Sequence, residues 1–140
     1  MEKIDLATSS LRALNERLQQ QSKVTNEKQW EVINPRGAHA IAVGLNAPLE
    51  LLIKGSTGYY CAGMNQHAQI TVQGSVGPGV CENMMSGSVF IEGDASQYAG
   101  ATGHGGLLTI KGNAASRCGI SVSYTHLRAH ETKANLVCRL

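Results

Sequence analysis

Leu51-Leu-Ile-Lys-Gly55 carries an apolar–x–apolar–x–glycine pattern that returns with a constant 19-residue period. The further copies are Ile70-Thr-Val-Gln-Gly74, Val89-Phe-Ile-Glu-Gly93 and Leu108-Thr-Ile-Lys-Gly112. A fixed period of this length marks one supersecondary unit that is repeated along the chain. The alternation of apolar residues within each copy is typical of a strand with one buried face. The sequence therefore predicts one strand per coil, stacked in a parallel β-solenoid.

Alignment of the four copies gives columns of equivalent residues. Two columns are aliphatic throughout, and they are predicted to form a continuous apolar ladder inside the stack. The glycine column is expected where a tight corner needs a positive φ or leaves no room for a Cβ atom. Left-handed hexapeptide helices return at multiples of six residues, which a 19-residue step does not fit. We therefore predict an all-β fold, a right-handed parallel β-helix with a short N-terminal helix. The structural turn glycines are Gly55, Gly74, Gly93 and Gly112.

The distribution of glycine divides the chain into three parts. All 16 glycines lie between Gly37 and Gly119. We assign 1–31 to an N-terminal helix and linker, 32–120 to the β-helix domain, and 121–140 to a tail of different character.

The leader contains three leucines at helical spacing, which predict an amphipathic helix over 9–21 with Thr8 or Ser9 as its N-cap. A solenoid needs a cap on its terminal coil, so the helix is expected to cover the first coil, with docking on another subunit as the alternative. Residues 22–29 read as a polar linker. The leucines are Leu11, Leu14 and Leu18.

The tail from Val122 to Thr132 can be encoded by DNA that resembles the transposon-type adaptor of sequencing libraries. Asn135-Leu-Val-Cys-Arg-Leu140 resembles a translation of the other end of that adaptor. We interpret 121–140 as a non-native, adaptor-derived tail, with a real amphipathic segment as the alternative. On this interpretation the β-helix domain is truncated, its native C-terminus is missing and its last coil ends in an unpaired edge.

The tail also decides the apparent charge of the chain. Without it, Lys+Arg falls from 12 to 9 and Asp+Glu from 10 to 9, so the formal net charge falls from +2 to zero. A neutral chain offers no electrostatic footprint for nucleic acid, and we expect no nucleic-acid partner. No apolar run is long enough for a membrane span, and no signal-peptide pattern is present. We expect no membrane partner and a cytoplasmic location.

The cysteines are predicted to be buried thiols that fill the coil interior. Cys61 and Cys118 fall in one column three coils apart, which is about 14 Å by strand spacing. Zinc ligands must converge far more closely. Cys81 falls in the neighbouring column, whose side chains are expected to point the other way. We predict no metal site.

The histidines and acidic residues also form no constellation in the column frame. His67 and His104 fall about two coils apart in adjacent columns, and we interpret His104 as a turn residue. Polysaccharide-cleaving β-helices need clustered carboxylates, which the spacing of the acids does not give. We predict no catalytic and no cofactor-binding residue. The other histidine and acidic residues of the body considered as site candidates are His39, Glu50, Glu82, Glu92 and Asp94.

Two polar pairs leave their role open. Asn65-Gln66 and Glu82-Asn83 could form a polar rung inside the coil or face a partner.

Several phrases of the body resemble the GXGXG family, the β-helix that forms the C-terminal domain of the glutamate synthase large subunit. The resemblance covers about 4–121. Its nearest form is the stand-alone one, the β-helix subunit of methylamine–glutamate N-methyltransferase (N-methylglutamate synthase). The phrases are Asn34-Pro-Arg-Gly37, Gly58-Tyr-Tyr-Cys-Ala-Gly-Met-Asn65, Glu82-Asn-Met-Met-Ser-Gly87, Gly100-Ala-Thr-Gly-His-Gly-Gly106 and Arg117-Cys-Gly-Ile-Ser121.

The resemblance implies a non-catalytic scaffold subunit of a glutamate-synthase-like complex. Its partners would be an amidotransferase-like subunit and an FMN-binding synthase subunit, and the latter would carry FMN and an iron–sulfur cluster. No cofactor is expected on this chain. The alternatives are a β-helix subunit of a formylmethanofuran-dehydrogenase-like oxidoreductase and an independent binding module that uses the solenoid face.

Overall fold

A computed structural model describes residues 2–24, 29–96, 98–112, 128–131 and 136–139. Its strands form one sheet in the order β1-β2-β3-β4-β5-β6-β8-β7. The fold is mostly parallel β-sheet wound into a solenoid of about four turns with one short helix, which confirms the predicted fold class. The handedness of the solenoid stays a prediction. The elements are β1 (Glu2–Asp5), α1 (Leu11–Val24), β2 (Gln29–Ile33), β3 (Glu50–Lys54), β4 (Gln69–Val72), β5 (Ser88–Ile91), β6 (Leu107–Ile110), β7 (Arg128–Glu131) and β8 (Leu136–Arg139).

The strands β3 to β6 pair in parallel with a constant register. Leu51 lies beside Ile70, Ile70 beside Val89 and Val89 beside Leu108, which is the step that the sequence repeat predicts. Side chains of both aliphatic columns are at most 2% exposed. The predicted apolar ladder is therefore the core of the stack. Burial of each ladder side chain stabilises the fold by about 1.5 to 3 kcal/mol.

The stack also extends N-terminally beyond the repeated motif. Trp30 pairs with Leu51, and the number of residues between these two partners is larger than the number between partners in later coils. Glu2 in turn pairs with Trp30. The leader thus contributes two strands that the sequence period does not reveal. The linker predicted over 22–29 is shorter at both ends, because α1 extends to Val24 and β2 begins at Gln29. Trp30 and Val32 are buried and continue the apolar ladder.

The turn glycines are explained by close approach of successive coils. Among the four, only Gly55 has a positive φ, at 137°. A Cβ atom on Gly74 would lie 2.6 Å from the carbonyl carbon of Gly55, and one on Gly93 would lie 2.7 Å from the Gly74 oxygen. The Gly93 amide donates a 3.0 Å hydrogen bond to that same oxygen. The lack of a side chain, more than conformational freedom, therefore selects glycine in this column.

The residue after each of the first three turn glycines links one coil to the next through its side chain or its amide. The Ser75 amide donates to Ser56 Oγ at 3.2 Å, and the Asp94 amide donates to Ser75 Oγ at 3.0 Å. This ladder satisfies backbone donors at a corner where the strand pairing has ended. Asp94 therefore has a structural role in this column, through its amide.

At another corner four successive coils pass through residues that have a positive φ at alternate positions. We call this segment the corner ribbon. Its amides bond alternately backward and forward: Ala62 N donates to Ile41 O at 2.9 Å, and Met64 N donates to Glu82 O at 2.7 Å. Left-handed backbone at a non-glycine residue costs on the order of 1 kcal/mol, which these bonds between coils offset. The positive-φ residues are Ala40, Ala42 and Gly44; Tyr60, Ala62 and Met64; Gly79, Cys81 and Asn83; Tyr98, Gly100 and Thr102.

The corner ribbon predicts a stabilising substitution at Met64. Its φ is 55°, its side chain is 45% exposed, and the equivalent residue one coil earlier is Gly44. We expect Met64→Gly to raise the free energy of unfolding by about 0.5 to 1 kcal/mol, because the relief of left-handed strain exceeds the added chain entropy. Met85, 44% exposed and without a positive φ, is the control. Met85→Gly should lower stability in the same urea titration, and a loss of stability in both variants would contradict the strain argument.

Helix α1 lies against the first coil, as the capping prediction requires. Leu14 and Leu18 are each 1% exposed and belong to the same core cluster as the ladder. The predicted N-cap was wrong: Ser10 Oγ accepts the amide of Ala13 at 3.1 Å. The amides of Thr8 and Ser9 instead donate to Asp5 O, so these residues belong to the turn that follows β1.

The side chain of Asn15 takes the place of a peptide group at the end of the stack. Its Nδ2 donates to Ala40 O and its Oδ1 accepts the amide of Ala42, both at 2.8 Å. One turn further along α1, Gln19 Nε2 donates to Val43 O at 2.7 Å. In the inner coils the amides equivalent to that of Ala42 bond to the preceding coil instead, as Ala62 N does to Ile41 O. The helix therefore closes the hydrogen bonding of the first coil as well as its apolar face.

The turn after β1 predicts a dependence of stability on acid. Hydrogen bonds from Asn34 and Ala7, together with the charge of Arg36, hold the pKa of Asp5 below its ordinary value of 3.8. A carboxyl with a lowered pKa stabilises the fold above pH 3.8 and loses that contribution as the pH falls through the lowered value. We expect the stability difference between the parent and Asp5→Asn to be constant near neutrality and to shrink below pH 3.8 in acid titrations of unfolding. Glu92→Gln is the control, and an equal acid dependence of both differences would contradict the prediction.

Strand β8 covers the outer edge of the last coil. It pairs antiparallel with β6, with Leu107 beside Arg139 and Ile110 beside Leu136. The expected unpaired edge was therefore wrong for this chain, because the tail supplies a partner strand. The adaptor origin of the tail stays a prediction. Within the described residues, no helix combines the length and the apolar character needed to cross a membrane.

Candidate functional site

The cysteines of the coil interior are buried. Cys61 and Cys81 are both 0% exposed, and the Cys81 amide donates to Cys61 O at 2.9 Å. The expectation that their side chains point in opposite directions was wrong. The alternating backbone of the corner ribbon does not obey the strand rule that neighbouring residues face opposite sides. Cys118 lies outside the described residues.

The environment of Cys61 keeps its thiol protonated. Burial raises the pKa of Cys61 to about 12, and the neighbouring Thr57 hydroxyl opposes that shift only in part. The thiolate is the form that attacks electrophiles and ligates metals. Cys61 therefore acts as a packing residue at neutral pH.

The three histidines of the body lie in different surroundings. His39 Nδ1 accepts the amide of Tyr59 at 3.0 Å, and the two rings stack with centroids 3.8 Å apart. His67 and His104 are exposed turn residues held through their own amides, which donate to Ser86 Oγ and Met84 O. The His39–Tyr59 stack was missed from the sequence, although the spacing of the two residues, close to one coil, places them on successive coils.

The acids are distributed over several surfaces. In the part of the chain that the structure describes, no three His, Cys, Asp or Glu side chains lie close enough to hold a metal ion. A buried acid that the sequence analysis missed is Glu31, whose Oε1 lies 3.1 Å from Lys54 Nζ and 3.8 Å from Lys3 Nζ. These two lysines offset the charge of a carboxylate that is 7% exposed and join three neighbouring strands. Removal of either lysine would leave that charge less well compensated.

The structure assigns a role to Asn65, which belongs to the first of the two polar pairs whose role the sequence left undecided. This residue is fully buried, and its Nδ2 donates to Ala68 O at 3.0 Å and to Ser86 O at 3.1 Å. Asn65 thus fixes a turn to the next coil from inside. Glu82, from the second pair, lines a groove on the outer surface.

That groove carries exposed aromatic rings, and we call it the tyrosine slot. It has a volume of about 450 Å³. Tyr59 is 53% exposed and Tyr98 is 38% exposed. Its lining residues are Tyr59, Tyr60, Pro78, Gly79, Glu82 and Tyr98.

The repeat itself creates the tyrosine slot. Tyr60, Gly79 and Tyr98 occupy one column of the corner ribbon on three successive coils. The middle coil carries glycine, so a gap one side chain thick separates two tyrosines whose backbones are about 9.6 Å apart. A Cβ atom on Gly79 would lie 3.3 Å from Glu82 Oε2 and 3.8 Å from Tyr60 Cδ2. The carboxylate and the Tyr60 ring therefore both border the floor of the slot.

These features define a parallel β-solenoid with a helical cap at one end and an aromatic slot on one corner. Comparison with known proteins finds similarity to Protein GlxC of Rhizobium meliloti (strain 1021), with 60% identity over 88 residues. The aligned residues cover 63% of this chain and 39% of that relative, so the chain matches less than half of its length. No protein-family model matches the chain, and no solved structure does.

Proposed function

We propose that the chain is a non-catalytic structural subunit of a cytoplasmic glutamate-synthase-like complex, of the N-methylglutamate synthase type. The observation that carries this proposal is that reactive or polar side chains in the coils serve the fold itself, either by packing in the interior or by bonding one coil to the next. Cys61 is a buried protonated thiol, Asn65 fixes a turn, and Ser75 bonds to the following coil. The sequence phrases that resemble the GXGXG family are the reason for proposing a complex of the glutamate-synthase type. The similarity to Protein GlxC supports an assignment at the level of a related subunit.

The proposal assigns the redox groups to a partner subunit. An iron–sulfur cluster is held by cysteine thiolates, usually four of them. Cys61 and Cys81 are both buried in the coils, and Cys61 is held in its protonated form. This donor set does not suit a cluster. FMN and the cluster therefore belong, in this proposal, to an FMN-binding synthase subunit, next to an amidotransferase-like subunit.

Two other functions follow from different features. A β-helix subunit of a formylmethanofuran-dehydrogenase-like oxidoreductase would share the same fold. An independent binding module is favoured by the tyrosine slot, because this groove does not contribute to the apolar core. These alternatives differ from the main proposal in the partners that they require.

Co-expression tests the proposal. The full chain, carrying an affinity tag, is produced together with an amidotransferase-like and an FMN-binding synthase subunit encoded beside its gene. We expect all three to elute together, with flavin absorbance only in fractions that contain the synthase subunit. Untagged chain in the same host is the control for nonspecific retention. Separate elution, or turnover of glutamine and 2-oxoglutarate or methylamine by the purified chain alone, would overturn the proposal.

A further inference from the structure

We infer that the tyrosine slot is a docking site for an arginine side chain of a partner protein. This inference deepens the proposed function and rests on it for the existence of a partner. It concerns a surface to which the comparisons assign no role.

The first argument is the shape of the slot. A group at the level of Gly79 is about 4.8 Å from the levels of Tyr60 and Tyr98. Cations interact with the faces of aromatic rings at centroid distances within about 6 Å. The space above Gly79 thus has room for one flat group beside the Tyr60 ring, whose Cδ2 lies 3.8 Å from the position of a Cβ atom on Gly79, and Tyr98 lines the same groove. Guanidinium is planar and stacks on aromatic faces, whereas ammonium is a compact charge that is more strongly hydrated.

The second argument is the charge of the slot. Glu82 Oε2 lies at the floor, and within the described ranges this carboxylate has no ion-pair partner. The other lining residues are tyrosine, proline and glycine, so Glu82 is the one acidic or basic residue type in the lining. One negative group at the end of an aromatic gap is complementary to one positive planar group, because a carboxylate accepts paired N–H bonds from a guanidinium.

The third argument is the rigidity of the walls. The Tyr60 ring lies directly over Gly63, where a Cβ atom would be 2.9 Å from its Cζ. Tyr59 is held by its stack on His39 at 3.8 Å. The Tyr60 amide donates to Pro78 O, and the Glu82 amide donates to Gly79 O. A preorganised site loses less entropy when the arginine enters.

The inference is tested on the full chain with a capped arginine probe, N-acetyl-arginine methylamide, followed by NMR shifts of the tyrosine rings at low ionic strength. The neutral isostere N-acetyl-citrulline methylamide is the matched ligand. We expect saturable binding of the arginine probe and weakening by about fivefold or more for citrulline. Glu82→Gln and Tyr98→Ala should weaken the arginine probe by a similar factor, whereas Glu92→Gln should leave its affinity unchanged.

Several outcomes would overturn the inference. These are the absence of saturable binding, equal affinity for arginine and citrulline, or an equal loss in Glu92→Gln and Glu82→Gln. Tighter binding of free L-arginine than of the capped probe would also overturn it, since it would indicate a small-molecule site. Thermal unfolding of each variant shows whether it is folded. Because the titration contains no other subunit, its failure leaves the co-elution experiment, and so the proposed function, untouched.

Discussion

Replacement of Gly74 by alanine is expected to lower the free energy of unfolding by about 3 kcal/mol, the upper range for an added methyl group in a packed interior. The new Cβ atom would lie 2.6 Å from the carbonyl carbon and 2.7 Å from the oxygen of Gly55. These are backbone atoms of the adjacent coil, so no side chain can move aside. Relief requires the two coils to separate, which weakens the strand pairing on either side. Urea unfolding followed by circular dichroism measures the loss.

Gly37→Ala separates the close approach from backbone strain. Gly37 has a φ of 73°, and no atom lies within 4 Å of the position that a Cβ atom would take. Alanine there is expected to cost only about 1 kcal/mol, from the left-handed conformation alone. A loss in Gly74→Ala no larger than that in Gly37→Ala would show that coil contact is not what selects glycine.

Asn15→Leu is expected to lower the free energy of unfolding by about 2 to 4 kcal/mol. Leucine has a similar volume but cannot bond to Ala40 O or the Ala42 amide, and each buried polar group left without a partner costs about 1 to 3 kcal/mol. Ala42 is fully buried, so water does not readily replace the lost bond. The leucine remains compatible with the helix, because helix propensity favours leucine over asparagine. The effect therefore reports on the cap and not on the helix itself.

A graded series sharpens the test of the cap. Asn15→Asp keeps the acceptor for the Ala42 amide and loses the donor to Ala40 O, so its stability should lie between those of the parent and the leucine variant. Glu16→Gln changes the neighbouring, exposed residue of the helix and should have an effect below about 0.5 kcal/mol. Equal stability of Asn15→Leu and Glu16→Gln in thermal unfolding would contradict the role of Asn15 as a closing group.

The strands were predictable from the sequence because their columns repeat at a constant step. The ladder through Leu51 and Ile70 follows from the 19-residue register alone. The strand at Trp30 did not follow, because the coil that joins it to Leu51 is longer than the others and breaks the step. The corner ribbon was also missed, since most of its left-handed positions, such as Tyr60 and Ala62, are not glycine. Bonds between coils stabilise that conformation, and such bonds leave no local signal.

The sequence places the turn glycines in one column, but the choice between conformation and close approach as the reason for glycine needed the structure. The tyrosine slot was missed for a different reason. Tyr60 and Tyr98 are two coils apart with Gly79 midway, so the column arithmetic contained the slot. A gap made by an absent side chain is visible only when neighbouring coils are compared, and it contains no convergent acids or metal ligands that would mark it in the sequence.

The antiparallel pairing of β8 on β6 bears on how such a chain folds. Every strand from β2 to β6 is joined to the next in parallel, yet β8 lies on the outer side of β6 in the opposite direction. A growing edge of this kind is a template that does not enforce direction, since its amides and carbonyls can pair with either orientation. The hydrogen bonds of an edge therefore do not by themselves select a parallel strand. From β3 to β6 the direction and register are fixed by the aliphatic columns, whose side chains stay buried only when successive strands run parallel at a constant step.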